Sequence, residues 1–165
     1  MRFTSDSIWK LLFLHIKKLN MKKLIIMLIS VISVFSARAQ KYTDQYIKDA
    51  SIIAESWLSN INDKHYENAF QMLSNDVKVR YNQETWISLI NELMLEFGEL
   101  ESRKATEKKF ESEVEGMEDG FYVFIDYTSS YTNTINHNEH ILLKQNDKTK
   151  WEIVDYNYEF KNKEE

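Results

Sequence analysis

The sequence predicts an α+β domain, with three N-terminal helices laid on one face of an antiparallel sheet of about four strands. Three observations carry this. Apolar residues in the front half recur at the spacing of an amphipathic helix. The back half is rich in Tyr, Phe, Val, Ile and Thr, the composition of a pleated, half-buried surface. Short polar turns separate the strand-like runs, and short turns pair neighbouring strands antiparallel.

The chain opens with a targeting pattern. Met21-Lys22-Lys23 is a short basic head, residues 24–35 are uncharged and apolar, and Ala37-Arg38-Ala39 is a small-x-small exit. These are the three parts of a secretory signal, so cleavage is expected between Ala39 and Gln40. The apolar run is shorter than the about 20 residues that a stable span needs, so no membrane anchor is expected after cleavage. Residues 1–20 read as a non-native upstream extension, with Met21 the true start. The expected locations are the periplasm or the exterior.

The first helix follows. Ile47, Ala50, Ala54, Trp57, Leu58 and Ile61 form one apolar stripe, with Asp44 as the expected cap. Residues 60–64 break the pattern. Tyr66, Ala69, Phe70 and Leu73 form a second, shorter stripe that ends at Ser74-Asn75-Asp76. Trp86, Leu89, Ile90, Leu93 and Phe97 form a third, with Asn82 or Gln83 near its start and Gly98 as a left-handed stop. Four strands are then expected. Residues 99–110 are polar enough to make a largely exposed strand. A turn over 115–120 precedes a strand over 121–131. Residues 132–138 read as a polar turn, and strands over 140–145 and 151–160 flank a turn at 146–149. The domain thus spans 40–160, and 161–165 is a charged tail.

Composition excludes several partners. The chain carries 21 Lys+Arg and 26 Asp+Glu. Seven of the bases and one of the acids fall in residues 1–39, leaving 14 against 25 and a net charge of −11 beyond the leader. A nucleic-acid partner needs a basic footprint, which is lacking. There is no cysteine, so the domain must be held by its core alone.

The runs Ala54-Glu55-Ser56-Trp57-Leu58 and Tyr66-Glu67-Asn68-Ala69-Phe70 carry a resemblance. So do Trp86, the stretch from Phe97-Gly98 to Ser102-Arg103, Asp119-Gly120-Phe121-Tyr122, Ser130-Tyr131-Thr132-Asn133, Asn138-Glu139-His140, Trp151 and Asp155-Tyr156. Together they resemble the bacterial exported family called domain of unknown function 4019, over about residues 49–158. His140 stands where that family usually has Thr, and prolines usual around Gly116 are missing. The resemblance implies a cone of the nuclear transport factor 2-like (cystatin-like) type, in which a curved antiparallel sheet wraps helices and can leave a pocket. It carries no activity with it, because that fold hosts enzymes, binding modules and dimerisation domains alike.

Several residues have chemistry to offer. Arg103 is one of two arginines beyond the leader. Its planar fork suits a ligand carboxylate or phosphate, or an internal tie to Asp126 or Glu139. Trp57, Tyr127, Tyr131 and Trp151 (with Trp86) are candidates to line an apolar pocket, although such spacing is commoner in a core. Asp126 sits among Tyr122, Phe124 and Tyr127. With Tyr156 or Tyr158 as proton donor it would imitate the acid–base pairs of isomerases and dehydratases on this fold. In His137-Asn138-Glu139-His140 a strand would send His137 and Glu139 to one face and His140 to the other, so no metal site is expected. Nothing resembles a nucleophile elbow or a phosphate loop, and no cofactor is expected. The leading expectation is therefore an exported, non-enzymatic module for a small ligand or an envelope protein. The alternatives are an isomerase- or dehydratase-like enzyme and a module that forms homodimers through its sheet.

Overall fold

Residues 47–61 alternate apolar and polar at helical spacing and contain no Pro or Gly, so nothing interrupts a helix there. The structure, a computed structural model, describes residues 21–162, with side chains from Lys41 to Lys161. In it helix α1 spans Met21–Asn62. The proposed extension over 1–20 and the last tail residues, 163–165, lie outside the described residues. The chain divides into two units, Met1–Tyr42 and Thr43–Glu165. In the first, residues 21–42 are helical. No helix among the described residues is long and apolar enough to cross a membrane.

The second unit holds the core. Ala50, Ala54, Trp57, Leu58 and Ile61 are all buried on one side of α1, as the stripe predicts. Because α1 runs unbroken through Asp44, that residue does not cap a helix start. Helix α2 (Tyr66–Gln71) buries Tyr66, Ala69 and Phe70. Helix α3 (Asn75–Arg80) was not expected. Ser74 both ends the preceding segment and caps the new helix by accepting from the Val77 N–H at 3.4 Å. Its six residues are too few to show a period, so only the cap could have revealed it.

Helix α4 (Gln83–Phe97) starts at Asn82, whose side chain accepts from Thr85 N–H at 2.8 Å. It buries Ile90, Met94 and Phe97. The expected stripe residue Leu89 is 50 % exposed, and Met94 takes the inward place. Gly98 stops the helix, its N–H returning to the Met94 carbonyl.

The four strands form one antiparallel meander in the order β1 (Leu100–Glu111), β2 (Tyr122–Tyr131), β3 (Thr134–Gln145) and β4 (Trp151–Asn162). Bulges in β1, near 101 and 106, and register breaks between β3 and β4 curve the sheet. Two boundaries differ from expectation. The turn between β2 and β3 is only Thr132 and Asn133, because residues 134–138 belong to β3. Asn136 has φ +55° within that strand, beside a register break. An Asn tolerates this left-handed conformation, which is why the stretch reads as a turn. At the other end Lys161 pairs with Ile135, so the charged tail begins as strand.

The edge of β4 does not stand open along its whole length. Ser74 N–H donates to the Ile153 carbonyl at 2.8 Å, and Ile153 N–H donates to the Met72 carbonyl at 3.0 Å. This short parallel bridge covers part of an edge that would otherwise present unpaired backbone.

Gly98 has φ +80° and ψ −158°, a region open almost only to glycine. A Cβ there would lie 2.1 Å from Thr132 Oγ1. Gly116 shares the positive φ but faces open space. Gly98→Ala should therefore lower unfolding free energy by about 3 kcal/mol or more, from strain plus clash. Gly116→Ala should cost only about 1–2 kcal/mol. Equal urea midpoints for the two variants would contradict this account of the α4 stop.

Candidate functional site

Alternation along β3 turns His137, Glu139, Ile141 and Leu143 to the inner, helix-facing side of the sheet, and all four are buried. Glu139 has no exposed surface. A buried carboxylate is tolerable only when paired and hydrogen-bonded. Arg103 supplies the pairing from β1, across the intervening β2. Its Nε donates to Glu139 Oε2 at 3.0 Å and to Ser129 Oγ at 3.3 Å. Its Nη2 donates to Tyr131 Oη at 2.6 Å and to Glu139 Oε1 at 3.3 Å. The Tyr131 hydroxyl donates in turn to Glu139 Oε1 at 2.9 Å. Burial pulls the guanidinium's pKa down, but Glu139, Tyr131 and Tyr156 together outweigh it and the net shift is upward.

Beside this triad His137 bonds through Nε2 to Thr134 Oγ1. Its ring stacks on Phe160 at 5.0 Å and meets the edge of Phe97 at 4.4 Å. Burial lowers the imidazole pKa, with Glu139 opposing. Phe97, itself without exposed surface, also touches Tyr131 and Tyr158. The inner face at this end is thus a packed mixture of rings around one neutralised ion pair.

The candidates separate accordingly. Arg103, Tyr131 and Tyr127 come together on the inner face, Tyr127 opposite Glu139 in register. Arg103 is the internal tie to Glu139 rather than a free anion receptor. Trp151 belongs to the core at the other end of the sheet, its ring 6.1 Å from Tyr46. Asp126 pairs with His140, Oδ1 to Nδ1 at 2.8 Å, on the outer face. Tyr156 pairs in register with Ile141 on the inner face. An acid–base pair of Asp126 with Tyr156 therefore has the sheet between its members. His140 likewise faces away from His137 and Glu139.

Two openings beside α1 hold candidate residues. One is a groove of about 390 Å³ against α3, α4 and β4. Trp57, Trp86, Leu89, Leu93, Tyr156 and Tyr158 line it, and Arg80 and Asp155 add charge. Trp57 stands edge-on to Tyr156 at 5.2 Å, and Trp86 tilts 6.5 Å away. The Trp57 Nε1–H is buried and finds no acceptor among the described residues. The other is a cleft of about 570 Å³ on the β1 side, lined by Glu55, Asn62, Arg103 and Tyr127 among others. Sequence reasoning missed Leu89 as a groove residue, since it had placed that side chain in the core. It likewise placed Leu58 in the core stripe, and it missed Glu55, Ser59 and Asn62. Their spacing of three and four was readable as a second helix face beside the apolar stripe.

Removing one member of the buried pair leaves the other charge alone. Glu139→Ala and Arg103→Ala should each cost about 3–5 kcal/mol, whereas the double variant Arg103→Met with Glu139→Leu should recover most of it. Chemical unfolding of the three variants checks this. A double variant no more stable than the singles would contradict it.

Alkali tests the same face. Burial, reinforced by Glu55, pushes the Tyr127 phenol from 10.0 to about 12. Burial likewise raises Tyr131 and Tyr156. Below pH 10 these phenols are protonated in both folded and unfolded chains, so they have no effect on stability. As pH rises from 10 towards 12 the unfolded chain ionises first and stability falls. Tyr127→Phe should make that decline shallower, as read from urea midpoints across the range.

The family described as protein of unknown function (DUF4019) matches residues 53–156. That span runs from the second half of α1 into β4 and includes Trp57, Arg103, Tyr131 and Glu139. No curated protein matches the chain, and no solved structure does. With its globular unit matched almost end to end, from the apolar stripe of α1 to Tyr156, the chain belongs to the DUF4019 family.

Proposed function

We propose that this protein is an exported, non-enzymatic module that holds a small, flat, apolar molecule in the groove between α1, α3, α4 and β4. The groove's character carries the reading. Its volume of about 390 Å³ falls within the about 300–1,000 Å³ usual for small-molecule sites. Its walls are mostly aromatic and aliphatic, with Arg80 and Asp155 as the few polar groups that would orient a ligand. Indole and phenol rings favour a flat partner, which they can stack on or meet edge-on. The unpaired Trp57 N–H would gain an acceptor from the ligand.

Export rests on the three-part signal over residues 21–39, which points to the periplasm or the exterior. A nuclear transport factor 2-like cone is the architecture we infer. A bulged antiparallel meander with helices against its inner face supports it. The outer face carries exposed, polar Thr128, Asn138, His140, Asn157 and Glu159, while its apolar Phe124 and Leu142 are partly or wholly covered. That composition favours the ligand reading over dimerisation through the sheet.

Leu89 offers a test that spares the core, because it is half exposed and lines the groove. Naphthol titrated into the full chain should quench tryptophan fluorescence saturably. Leu89→Asp should weaken that binding by about tenfold or more with an unchanged unfolding midpoint. Native mass spectrometry of protein taken from its own envelope should show an added organic mass that the variant lacks. Quenching that is linear in naphthol, or unaffected by Leu89→Asp, would end the proposal.

A further inference from the structure

The opposite flank of α1 has a different chemistry. Glu55, Leu58, Ser59 and Asn62 fall on one helix face and line the cleft of about 570 Å³ against Arg103 and Tyr127. Two of its lining residues carry a buried side-chain atom that has no hydrogen-bond partner among the described residues. The atoms are Asn62 Oδ1 and Tyr127 Oη, and Tyr127 is only 4 % exposed. An amide oxygen can only accept, and a phenol can accept as well as donate. The Tyr127 hydroxyl senses the charges of both Glu55 and Arg103, which line the same cleft.

The charge balance gives the sign. Glu55, Asp63 and Glu99 line the cleft, and Lys64 reaches Glu99 at 3.3 Å. Arg103 is the lining cation, but Glu139 already holds it with two hydrogen bonds. The remainder is negative and rich in acceptors. A bare divalent ion is poorly served, because among the described residues no three His, Cys, Asp or Glu side chains converge. A larger cation that carries its own N–H donors fits better.

We propose that this cleft binds an organic primary ammonium ion, an alkylamine or diamine, through Asn62 Oδ1 and Tyr127 Oη as acceptors and the Glu55 carboxylate as counter-charge. The site is separate from the apolar groove, so either proposal stands if the other fails. An ammonium N–H would pair the two orphaned oxygens, and the methylene stem would lie along Leu58 and Ala105. The attraction should weaken with salt, since Glu55 is exposed.

Calorimetric titration of the full chain with cadaverine tests this. The expected result is saturable binding in the millimolar range or tighter, weakened about tenfold by Glu55→Gln and severalfold by Tyr127→Phe. A neutral diol of the same length should not bind. Asp147→Asn, which removes an exposed acid in the β3–β4 turn, should leave affinity unchanged. Glu55 is a surface residue and Tyr127→Phe removes only an unpaired hydroxyl, so neither variant should lower the unfolding midpoint. The proposal is overturned by absence of saturable binding, by equal binding of the diol, or by an equal loss with Asp147→Asn, which would mean nonspecific attraction to an acidic chain.

Discussion

A carboxylate with no exposed surface lies in the middle of the inner sheet face, and the rest of that face is arranged around it. Taking Glu139 out of water costs several kcal/mol unless the lost hydration is replaced by a fixed charge and by donors. Both come from elsewhere in the sheet. Arg103 reaches from the edge strand over β2, and the Tyr131 hydroxyl closes the triangle at 2.9 Å. The same geometry ties β1 to β3 through side chains, in addition to the backbone ladder each shares with β2. A slip of one residue in either pairing would turn Glu139 or Arg103 to the outer face and leave its partner buried alone. The ion pair therefore contributes register more than net stability, since a well-packed apolar trio could fill the same space.

That constraint decides where ligand chemistry can occur. Once Arg103 is tied to Glu139 and the rings of Phe97, His137 and Phe160 are packed together, the inner face around Phe97 is filled, and Arg103 meets the β1-side cleft with its charge already answered. The two openings that hold candidate residues lie on the flanks of α1. Trp57 turns to the apolar one, while Glu55, Ser59 and Asn62, on another face of the same helix, turn to the acidic one. A single helix thus separates two environments, because successive residues differ by about 100° around its axis.

The architecture was largely legible because it rests on periodicity. The stripe from Ala50 to Ile61 is buried as its spacing requires, and the tyrosine- and valine-rich run in β2 pairs antiparallel on both sides. The failures have physical causes. Asn136 has turn chemistry but sits at a strand irregularity, so local composition misplaced the start of β3. Helix α3 is too short for any period to emerge. Leu89 shares its spacing with true core residues, and only the third dimension shows that β4 leaves a groove there. The Arg103–Glu139 tie was readable as one of two options, and the inward alternation of His137 and Glu139 selects it over Asp126. The two flanking openings were not legible, since each is built from elements distant in sequence.

The unpaired buried atoms tie the two proposals to one physical cost. A buried donor or acceptor without a partner costs about 1–3 kcal/mol, against a total stability of about 5–15 kcal/mol for an ordinary domain. This chain has no disulfide to offset such losses. Among the described residues the unpaired atoms are Trp57 Nε1, Asn62 Oδ1, Tyr66 Oη, Tyr127 Oη and His137 Nδ1. Were they packing errors, they would be expected throughout the core. Instead, all but His137 belong to residues that line an opening beside α1, and Tyr66 lines a small pocket that shares Asn62 with the acidic cleft. Sites that bind are where natural sequences break local rules at a cost in stability. Unsatisfied hydrogen-bonding capacity gathered beside openings rather than spread through the core, in a domain without a disulfide, is the observation that the two binding proposals have in common.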